Sequence, residues 1–214
     1  MILAPFFLSA ALAQTGAAPP ETRRRGYAQA LVLASYHPVA SDSYHREFPN
    51  LQGTAPAVSV SAGGFLSPSL ALEGEFVYGG TVSAPQRFSY FSSEDYIAGS
   101  RDLLFNELLR YRPGGRAPVE IVVGGGYALT TVSEKSIVST SGNPATISHP
   151  PDRSRRQHAP TLTAGVDGTV RISARASFTP GFRFRWIHRP DARYGETHGI
   201  ARYAVEFGAG IRFW

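Results

Sequence analysis

The chain has 214 residues, of which 12% are aromatic and only 17% are charged. This composition excludes a disordered chain, and the length suits one domain or one closed barrel. The chain has no cysteine, which excludes disulfides and thiolate metal sites. The net charge is +5, and all but one of the 21 basic residues are arginine, Lys135 being the exception. These arginines are spread over many segments rather than gathered in one patch, which argues against nucleic-acid binding.

The N-terminus predicts export. Residues 1–13, MILAPFFLSAALA, form a short apolar run ending in small residues, which is typical of a signal peptide cleaved after Ala13. An apolar tail or a first strand is the alternative. The run is too short for a membrane-spanning helix, and no later window reaches the ~18 apolar residues that one needs. We expect a signal peptide at 1–13, a periplasmic linker at 14–25 and a barrel domain at 26–214.

Segments rich in β-branched and aromatic residues follow, separated by Gly and Pro signals. Most span 10 to 15 residues, beyond the ~5–6 of soluble strands and enough for the ~9–11 that cross a bilayer at a tilt. The eight predicted segments are 26–36, 57–66, 69–79, 101–112, 118–132, 160–172, 175–188 and 199–213.

The predicted connections alternate in length. Three are short, at 66–69, 113–117 and 173–174, whereas four are long, at 37–56, 80–100, 133–159 and 189–198. Short turns on one side and long loops on the other are typical of outer-membrane barrels, with the turns in the periplasm. An even number of strands also places both termini on the periplasmic side.

The seventh segment contains the alternation FRFRW at 182–186. In a membrane barrel the aromatics would face lipid, because an outward arginine costs ~2–4 kcal/mol near the midplane. The charged side chains would then neutralise one another in a lumen that side chains fill. The predicted lumen charges are Glu73, Glu75, Arg110, Glu120, Asp167, Arg183, Arg185, Glu206 and Arg212, with Arg171 and Arg202 on the same predicted faces. The predicted lipid-facing aromatics are Phe76, Tyr127, Phe182, Phe184, Trp186 and Phe207.

Three features fit this pattern less simply. The segment at 101–112 is apolar on both faces, and placing Leu109 outward carries Glu107 outward as well; a bulge or a position near the interface would accommodate it. Pro180 lies inside a strand and predicts a bulge or kink. The segment at 26–36 gives no clear choice of faces.

The final segment, YAVEFGAGIRFW, resembles the C-terminal strand of bacterial outer-membrane barrels. Phe213 is in phase with Phe207, whereas Trp214 is one residue out of phase, so the pattern leaves open which of them acts as the terminal aromatic. The whole region 26–214 resembles the small barrels of the OmpA transmembrane-domain, OmpX and opacity-protein type. The resemblance implies recognition of Phe213 and Trp214 by the barrel-assembly machinery.

Some barrels of this kind modify lipid A, and a deacylase would need Ser, His and an acid at the outer rim. The candidates are His188 or His198 with Glu196, near Ser173 or Ser177, but these serines belong to the opposite end of the segment. The six histidines, at 37, 45, 149, 158, 188 and 198, lie in or beside the long connections. None has the short spacing of a metal motif, so we expect no metal and no cofactor.

A basic run in the third long connection suggests a different partner. Arg153, Arg155 and Arg156 present guanidinium groups suited to phosphate, which lipopolysaccharide supplies.

The sequence therefore predicts an all-β, eight-stranded antiparallel up-and-down transmembrane β-barrel in the outer membrane of a Gram-negative bacterium. We expect a non-catalytic monomer with a filled polar lumen and a structural or surface-contact role, or at most a narrow porin-like passage. One alternative is a secreted or periplasmic lipocalin-like barrel that binds an apolar ligand among Phe182, Phe184 and Trp186. The other is a lipid A-modifying enzyme.

Overall fold

The computed structural model describes residues 26–38, 51–89, 92–115, 117–140, 146–148, 153–188 and 201–214. The predicted signal peptide and linker lie outside these residues. Within the described ranges no helix is long and apolar enough to cross a membrane.

The described residues form eleven strands and one 3-10 turn. Eight strands are long, and three are short pieces that extend or continue them. The strands are β1 (Gly26–His37), β2 (Gly53–Ser67), β3 (Leu70–Gly79), β4 (Val82–Ser89), β5 (Ser92–Tyr111), β6 (Val119–Thr140), β7 (Thr146–Ser148), β8 (Arg153–Gly168), β9 (Val170–Arg171), β10 (Ala176–Ile187) and β11 (Tyr203–Phe213).

The long strands close into a ring in which every neighbour is antiparallel. Their order is β1, β2, β3, β5, β6, β8, β10 and β11, and β11 pairs back onto β1. Closure leaves no free sheet edge in the wall, so backbone donors and acceptors are satisfied all the way round. The predicted fold class, an eight-stranded up-and-down barrel, is confirmed.

Two of the predicted long connections are wrong in extent, because strand pairing continues into them. β4 and the first part of β5 form a hairpin within the predicted 80–100 loop, and β6 pairs with β8 as far as Glu134 and Arg153 in the predicted 133–159 loop. Polar residues are frequent in these extensions, as in SSED at 92–95, and the sequence therefore resembles that of a loop. Ladder hydrogen bonds form there regardless of which side chains the strands carry.

The three short connections lie at one end of the barrel, together with the start of β1 and the end of β11, where Ala28 is opposite Phe213. The connection between β5 and β6 contains the 3-10 turn Pro113–Gly115. Gly114 has φ 62° there, a left-handed conformation that glycine adopts without a steric penalty. We call this end the short-turn end.

The register contradicts the predicted bulge at Pro180. β10 keeps one register from its pairing with β9, where Phe178 is opposite Val170, to its pairing with β8, where Gly181 is opposite Asp167. The ladder is interrupted at Thr169 instead, between β8 and β9. Because proline has no backbone donor, it removes a ladder hydrogen bond without shifting the strand.

The register is also unbroken through Glu107, which pairs with Gly74 on one side and Gly125 on the other. The predicted rescue of this residue by a bulge is therefore wrong. Glu107 is exposed on the outer face of β5.

Candidate functional site

Side chains alternate strictly between the interior and the exterior of the wall. On β10 the Phe182 and Phe184 side chains are 37% and 40% exposed, whereas Arg183 and Arg185 are 0% and 1% exposed. Because successive residues of a strand point to opposite faces, this places guanidinium groups in the lumen and phenyl rings outside. All nine predicted lumen charges are buried: Glu73, Glu75, Arg110, Glu120, Asp167, Arg183, Arg185, Glu206 and Arg212.

Arg185 is the centre of the upper ion-pair cluster, which consists of Arg185, Glu75 and Glu206. Its Nη1 and Nη2 donate to the two Glu75 carboxylate oxygens at 2.8 and 3.0 Å, and its Nε donates to Glu206 at 2.7 Å. Ser59 and Asn106 also donate to Glu75, at 2.8 and 3.0 Å. Two-pronged pairs of this kind fix the planar guanidinium in one orientation.

The lower ion-pair cluster lies nearer the short-turn end. Arg110 donates to both Glu73 oxygens and also contacts Asp167 and Glu120. Arg183 forms a second two-pronged pair with Asp167. A further contact links β11 to the cluster, because Nη1 of Arg212 donates to Glu120 at 2.9 Å.

The sequence did not predict several members of these clusters. Arg112 is half-buried at the lower mouth and donates to Glu120 at 2.5 Å. Tyr27 donates its hydroxyl to Glu73 at 2.6 Å, and Gln29 accepts from Arg212 at 2.7 Å. Arg112 brings the arginines to five, matching the five acids, so the clusters are neutral overall. Tyr27 and Gln29 were missed because the faces of β1 could not be assigned.

Two arginines placed on lumen faces by the sequence lie apart from these clusters. Arg171 is exposed at the short-turn end and donates to the Ser173 carbonyl oxygen at 3.2 Å. Arg202 is half-buried just before β11. Both positions are at strand ends, where side chains reach water and the alternation no longer determines burial.

Glycines in the wall make room for the arginines. A Cβ on Gly181 would come within 2.6 Å of an Asp167 carboxylate oxygen, and one on Gly165 would come within 2.8 Å of the Arg183 side chain. Larger residues would displace the ion pairs, which explains why small residues alternate with charged ones in these strands.

The interior is not entirely polar, in contrast to the sequence prediction. An aliphatic layer also occupies part of the lumen. On β3 and β10 it is farther from the short-turn end than the ion pairs, because Val77 follows Glu75 and Ile187 follows Arg185, whereas on β1 Leu33 comes before Ser35, which is opposite Glu206. Its members are Leu31, Leu33, Ala57, Val77, Leu104, Ala128, Ala159 and Ile187. Two cavities among the interior side chains measure about 10 Å³ each, which is room for a single water.

Three aromatic rings gather where the lumen meets the short-turn end. Trp214 stacks on Phe65 with ring centroids 5.7 Å apart, and Tyr27 lies 5.4 and 5.8 Å from these two rings. Phe213, by contrast, is outward and 55% exposed. The two terminal aromatics therefore occupy different surfaces: Phe213 continues the outer row of β11, and Trp214 packs at the end of the lumen.

The predicted lipid-facing aromatics all lie in outward phase. Tyr127 and Phe207 are exposed, as are Phe182 and Phe184, whereas Phe76 and Trp186 are half-exposed. Neighbouring rings pack together on this surface, Phe182 against Phe207 and Phe76 against Phe105, each with centroids 5.0 Å apart.

The predicted basic run falls partly on β8 rather than in a loop. Arg155 and Arg156 are exposed, and of Arg153 only the backbone pairing is described. Arg156 is opposite Thr131 of β6, which is opposite Arg101 of β5. Arg101 and Arg156 thus lie in one row on the outer face, and Arg101 donates to the Tyr78 hydroxyl at 2.8 Å. The sequence did not predict Arg101, which lies in an apolar segment.

Of the catalytic candidates, Ser177 and His188 do not come together. Ser177 is buried near the short-turn end, whereas His188 follows β10 at the other end, eleven residues or roughly 36 Å of extended chain away. Glu196 and His198 lie outside the described residues, as do His45 and His149. Among the residues that the structure places, no group of three or more His, Cys, Asp or Glu could hold a metal ion.

No protein-family model and no curated protein matches this chain. Solved structures of similar fold include the attachment invasion locus protein Ail of Yersinia pestis, at 11% identity and TM-score 0.49, covering 89% of this chain and 100% of that one. A major outer membrane protein of Thermus thermophilus is 11% identical with TM-score 0.43, covering 89% and 99%. The outer membrane protein OprG of Pseudomonas aeruginosa is 12% identical with TM-score 0.42, covering 89% and 97%.

Identities this low are no evidence for a shared activity. The architecture rests on the chain's own strand pairing, which is that of a closed, eight-stranded, up-and-down β-barrel similar to those of small outer-membrane proteins.

Proposed function

We propose that this protein is an integral outer-membrane barrel with a closed lumen and a non-catalytic role in envelope structure or surface contact. The observation that carries the proposal is the inversion of the wall: ionised side chains are inside and large apolar side chains are outside. Phe207 is 57% exposed and Val32 is 66% exposed, whereas Arg183 and Arg212 are fully buried.

For a protein in water, this arrangement would be unfavourable on both faces of the wall. Monomeric soluble proteins rarely expose a contiguous apolar patch larger than a few hundred Å², and here apolar side chains are exposed all around the described wall. Burying ten charged groups is itself costly unless each is paired. A bilayer favours the apolar exterior and excludes the charges from it, so the inversion is what a membrane selects.

The filled lumen supports a structural role rather than transport. Paired charges and aliphatic side chains share the lumen of the described wall, and two cavities among them are of single-water size. The same filling weakens the lipocalin-like alternative, because Phe182 and Phe184 face outward instead of lining a ligand pocket in the lumen. The separation of Ser177 from His188 gives no support to the lipid A-modifying alternative.

Folding in different solvents tests the proposal. Purified protein should fold only with detergent micelles or lipid vesicles, and the folded barrel should migrate differently on gels before and after boiling. In cells it should fractionate with the outer membrane. A protein that is folded, monomeric and soluble without detergent would contradict the proposal.

We further propose that the outer arginine row, Arg101 and Arg156, contacts phosphate groups of lipopolysaccharide. Both side chains lie on the outer face beyond the apolar band, near Tyr78 and His158. Cross-strand spacing places the two about 10 Å apart, so two phosphates of one lipid could be engaged. Arg155 is in the other phase of β8, opposite the buried Val132, and does not belong to this outer row.

Vesicles with and without lipopolysaccharide provide the test of this contact. Lipopolysaccharide should raise the unfolding temperature of the wild type, and the increase should be lost in R101Q/R156Q. R171Q removes an exposed arginine at the opposite end and should keep the full increase. An increase that survives in R101Q/R156Q would contradict the assignment of these residues.

For assembly, we propose that Phe213 is the aromatic recognised by the barrel-assembly machinery. Phe213 is in the outward phase of β11 and exposed, whereas Trp214 packs on Phe65 and Tyr27. F213A should therefore lower the amount of barrel assembled in cells without changing the stability of refolded protein. Normal assembly of F213A in cells would contradict this role.

A further inference from the structure

A groove of about 750 Å³ lies on the outer face of the wall, across β2, β3, β5 and β6. Its floor is formed by small residues that are neighbours across the strands: Ala62 is opposite Gly74, and Glu107 lies between Gly74 and Gly125. On β3, β5 and β6 the adjoining outward rows are bulky: Leu72, Leu109 and Val123 on one side, and Phe76, Phe105 and Tyr127 on the other. The groove therefore results from small residues on β2, β3 and β6, which lie in the same cross-strand row as Glu107 of β5.

Among the residues that line the groove, Glu107 carries the one carboxyl group on the outer face. It is exposed, and within the residues that the structure describes no hydrogen bond or ion pair involves its carboxyl group. The acids Glu73 and Glu75 of the adjacent strand are each held by a buried arginine. Glu107 has no such partner in the described part of the wall.

The level of Glu107 makes this lack of a partner significant. Along β5 the outward residues run from Tyr111 at the short-turn end to Arg101, which bonds the Tyr78 hydroxyl at the other edge. Glu107 is four residues from Tyr111 and six from Arg101, or about 14 and 20 Å along the strand. At a tilt of ~40° these become roughly 10 and 15 Å of depth in an apolar band ~25 Å tall. Glu107 thus lies near the middle of the hydrocarbon.

An aromatic wall borders the groove on the side away from the short-turn end. Val60, Phe76, Phe105 and Tyr127 form one continuous cross-strand row, two residues beyond the floor. The Phe76 and Phe105 rings pack with centroids 5.0 Å apart. Aromatic faces attract cations, and they do so more strongly when water is excluded.

We propose that this groove binds an apolar molecule carrying a protonated amine, with the ammonium group against Glu107 and the hydrocarbon along the small-residue floor. The carboxylate and the aromatic wall both select a cation, and the groove volume suits a ligand of ordinary small-molecule size. In hydrocarbon an unpaired ion is very costly, so a carboxylate at Glu107 would favour a ligand whose cation pairs with it over a neutral ligand of the same shape. The inference depends on the proposed membrane location of this face.

A second copy of the chain is the less suitable occupant. A two-fold symmetric contact would place the same surface on both partners, so the groove would face another groove. That arrangement would enclose a larger void and bring two Glu107 carboxyl groups together. A narrow amphiphile fills the groove without either consequence.

The test uses the folded barrel in phosphatidylcholine nanodiscs with nitroxide-labelled dodecylamine as the probe and equally labelled dodecanol as its neutral match. The readout is paramagnetic broadening of glycine amide signals in NMR spectra. In the wild type the amine should broaden Gly74 and Gly125 saturably, and more than Gly208 and Gly210 on the opposite wall. The alcohol should broaden all four about equally.

Two variants separate charge from shape. E107Q keeps the side-chain size and should weaken amine binding at least tenfold. G74L should fill the groove while leaving Glu107 in place, because a Cβ at this position meets nothing within 4 Å, and it should abolish selective broadening of Gly125. Heat-modifiable gel migration checks that both variants are folded.

Several results would overturn the inference. These are equal broadening by amine and alcohol in the wild type, unchanged amine affinity in E107Q, and a dimer crosslinked through the groove. Failure to fold in the absence of detergent is expected and belongs to the proposed function. If the barrel is folded in nanodiscs and the amine does not broaden Gly74 and Gly125 selectively, the proposed binding site is refuted, whereas the proposed membrane location is not.

Discussion

Replacing Arg185 by methionine should destabilise the barrel strongly, because it removes the guanidinium that holds both acids of the upper ion-pair cluster. Arg185 is 1% exposed and donates three hydrogen bonds to carboxylates, two to Glu75 and one to Glu206. Methionine has a similar length, but it leaves Glu75 and Glu206 buried without the arginine that they share. Breaking a buried pair in this way costs about 3–5 kcal/mol, and two acids sharing one arginine place R185M at the upper end of that range.

The assay is urea unfolding of the barrel in lipid vesicles, followed by tryptophan fluorescence and by gel migration. R171M replaces an exposed arginine and should change the free energy of unfolding by no more than about 0.5 kcal/mol. The triple variant R185M/E75Q/E206Q removes the charges together and should recover more than half of the loss, because replacing a whole buried pair is often nearly neutral. A loss below about 1 kcal/mol in R185M, or no recovery in the triple variant, would refute the reasoning.

Three further changes have definite outcomes in the same assay. G165V should lower the free energy of unfolding by about 1–3 kcal/mol through overpacking, because its Cβ would come within 2.3 Å of a backbone oxygen on β10. G74V has open space around its Cβ and should be nearly neutral. Equal effects of the two variants would contradict the packing account. Y27F should cost about 1.5–3 kcal/mol by removing the hydroxyl bonded to Glu73, and no measurable change would show that the bond contributes nothing. W214A should cost about 2 kcal/mol, less than a fully buried tryptophan, and a stability equal to wild type would show that the aromatic packing at the lumen end is unimportant.

The sequence predicts the barrel wherever one face of a strand is charged. Phe182 to Trp186 alternate so regularly that both faces of β10 follow from the pattern. The faces of β1 and β5 could not be assigned from the sequence. Leu31 and Leu104 belong to the aliphatic layer of the lumen, and the residues next to them on the outer face are apolar too. A strand that is apolar on both faces contains no signal that distinguishes them.

Other features depend on contacts that no single strand contains. The groove requires Ala62, Gly74 and Gly125 to be adjacent across the sheet, which only the register determines. Arg101 lies in the same cross-strand row as Arg156 for the same reason. The sequence did not predict the extension of β6 into the loop, because strand pairing is made by backbone groups and does not require a hydrophobic pattern.

The sidedness of the aromatics is the central claim, and fluorescence quenching measures it most directly. Single-tryptophan proteins with tryptophan at 182, 184 or 207, in a W186F/W214F background, would be folded into vesicles of lipids brominated along the acyl chains. The account predicts strong quenching at all three positions, because these side chains are exposed on the outer face. Fluorescence that is unaffected by the brominated chains at all three positions would contradict it.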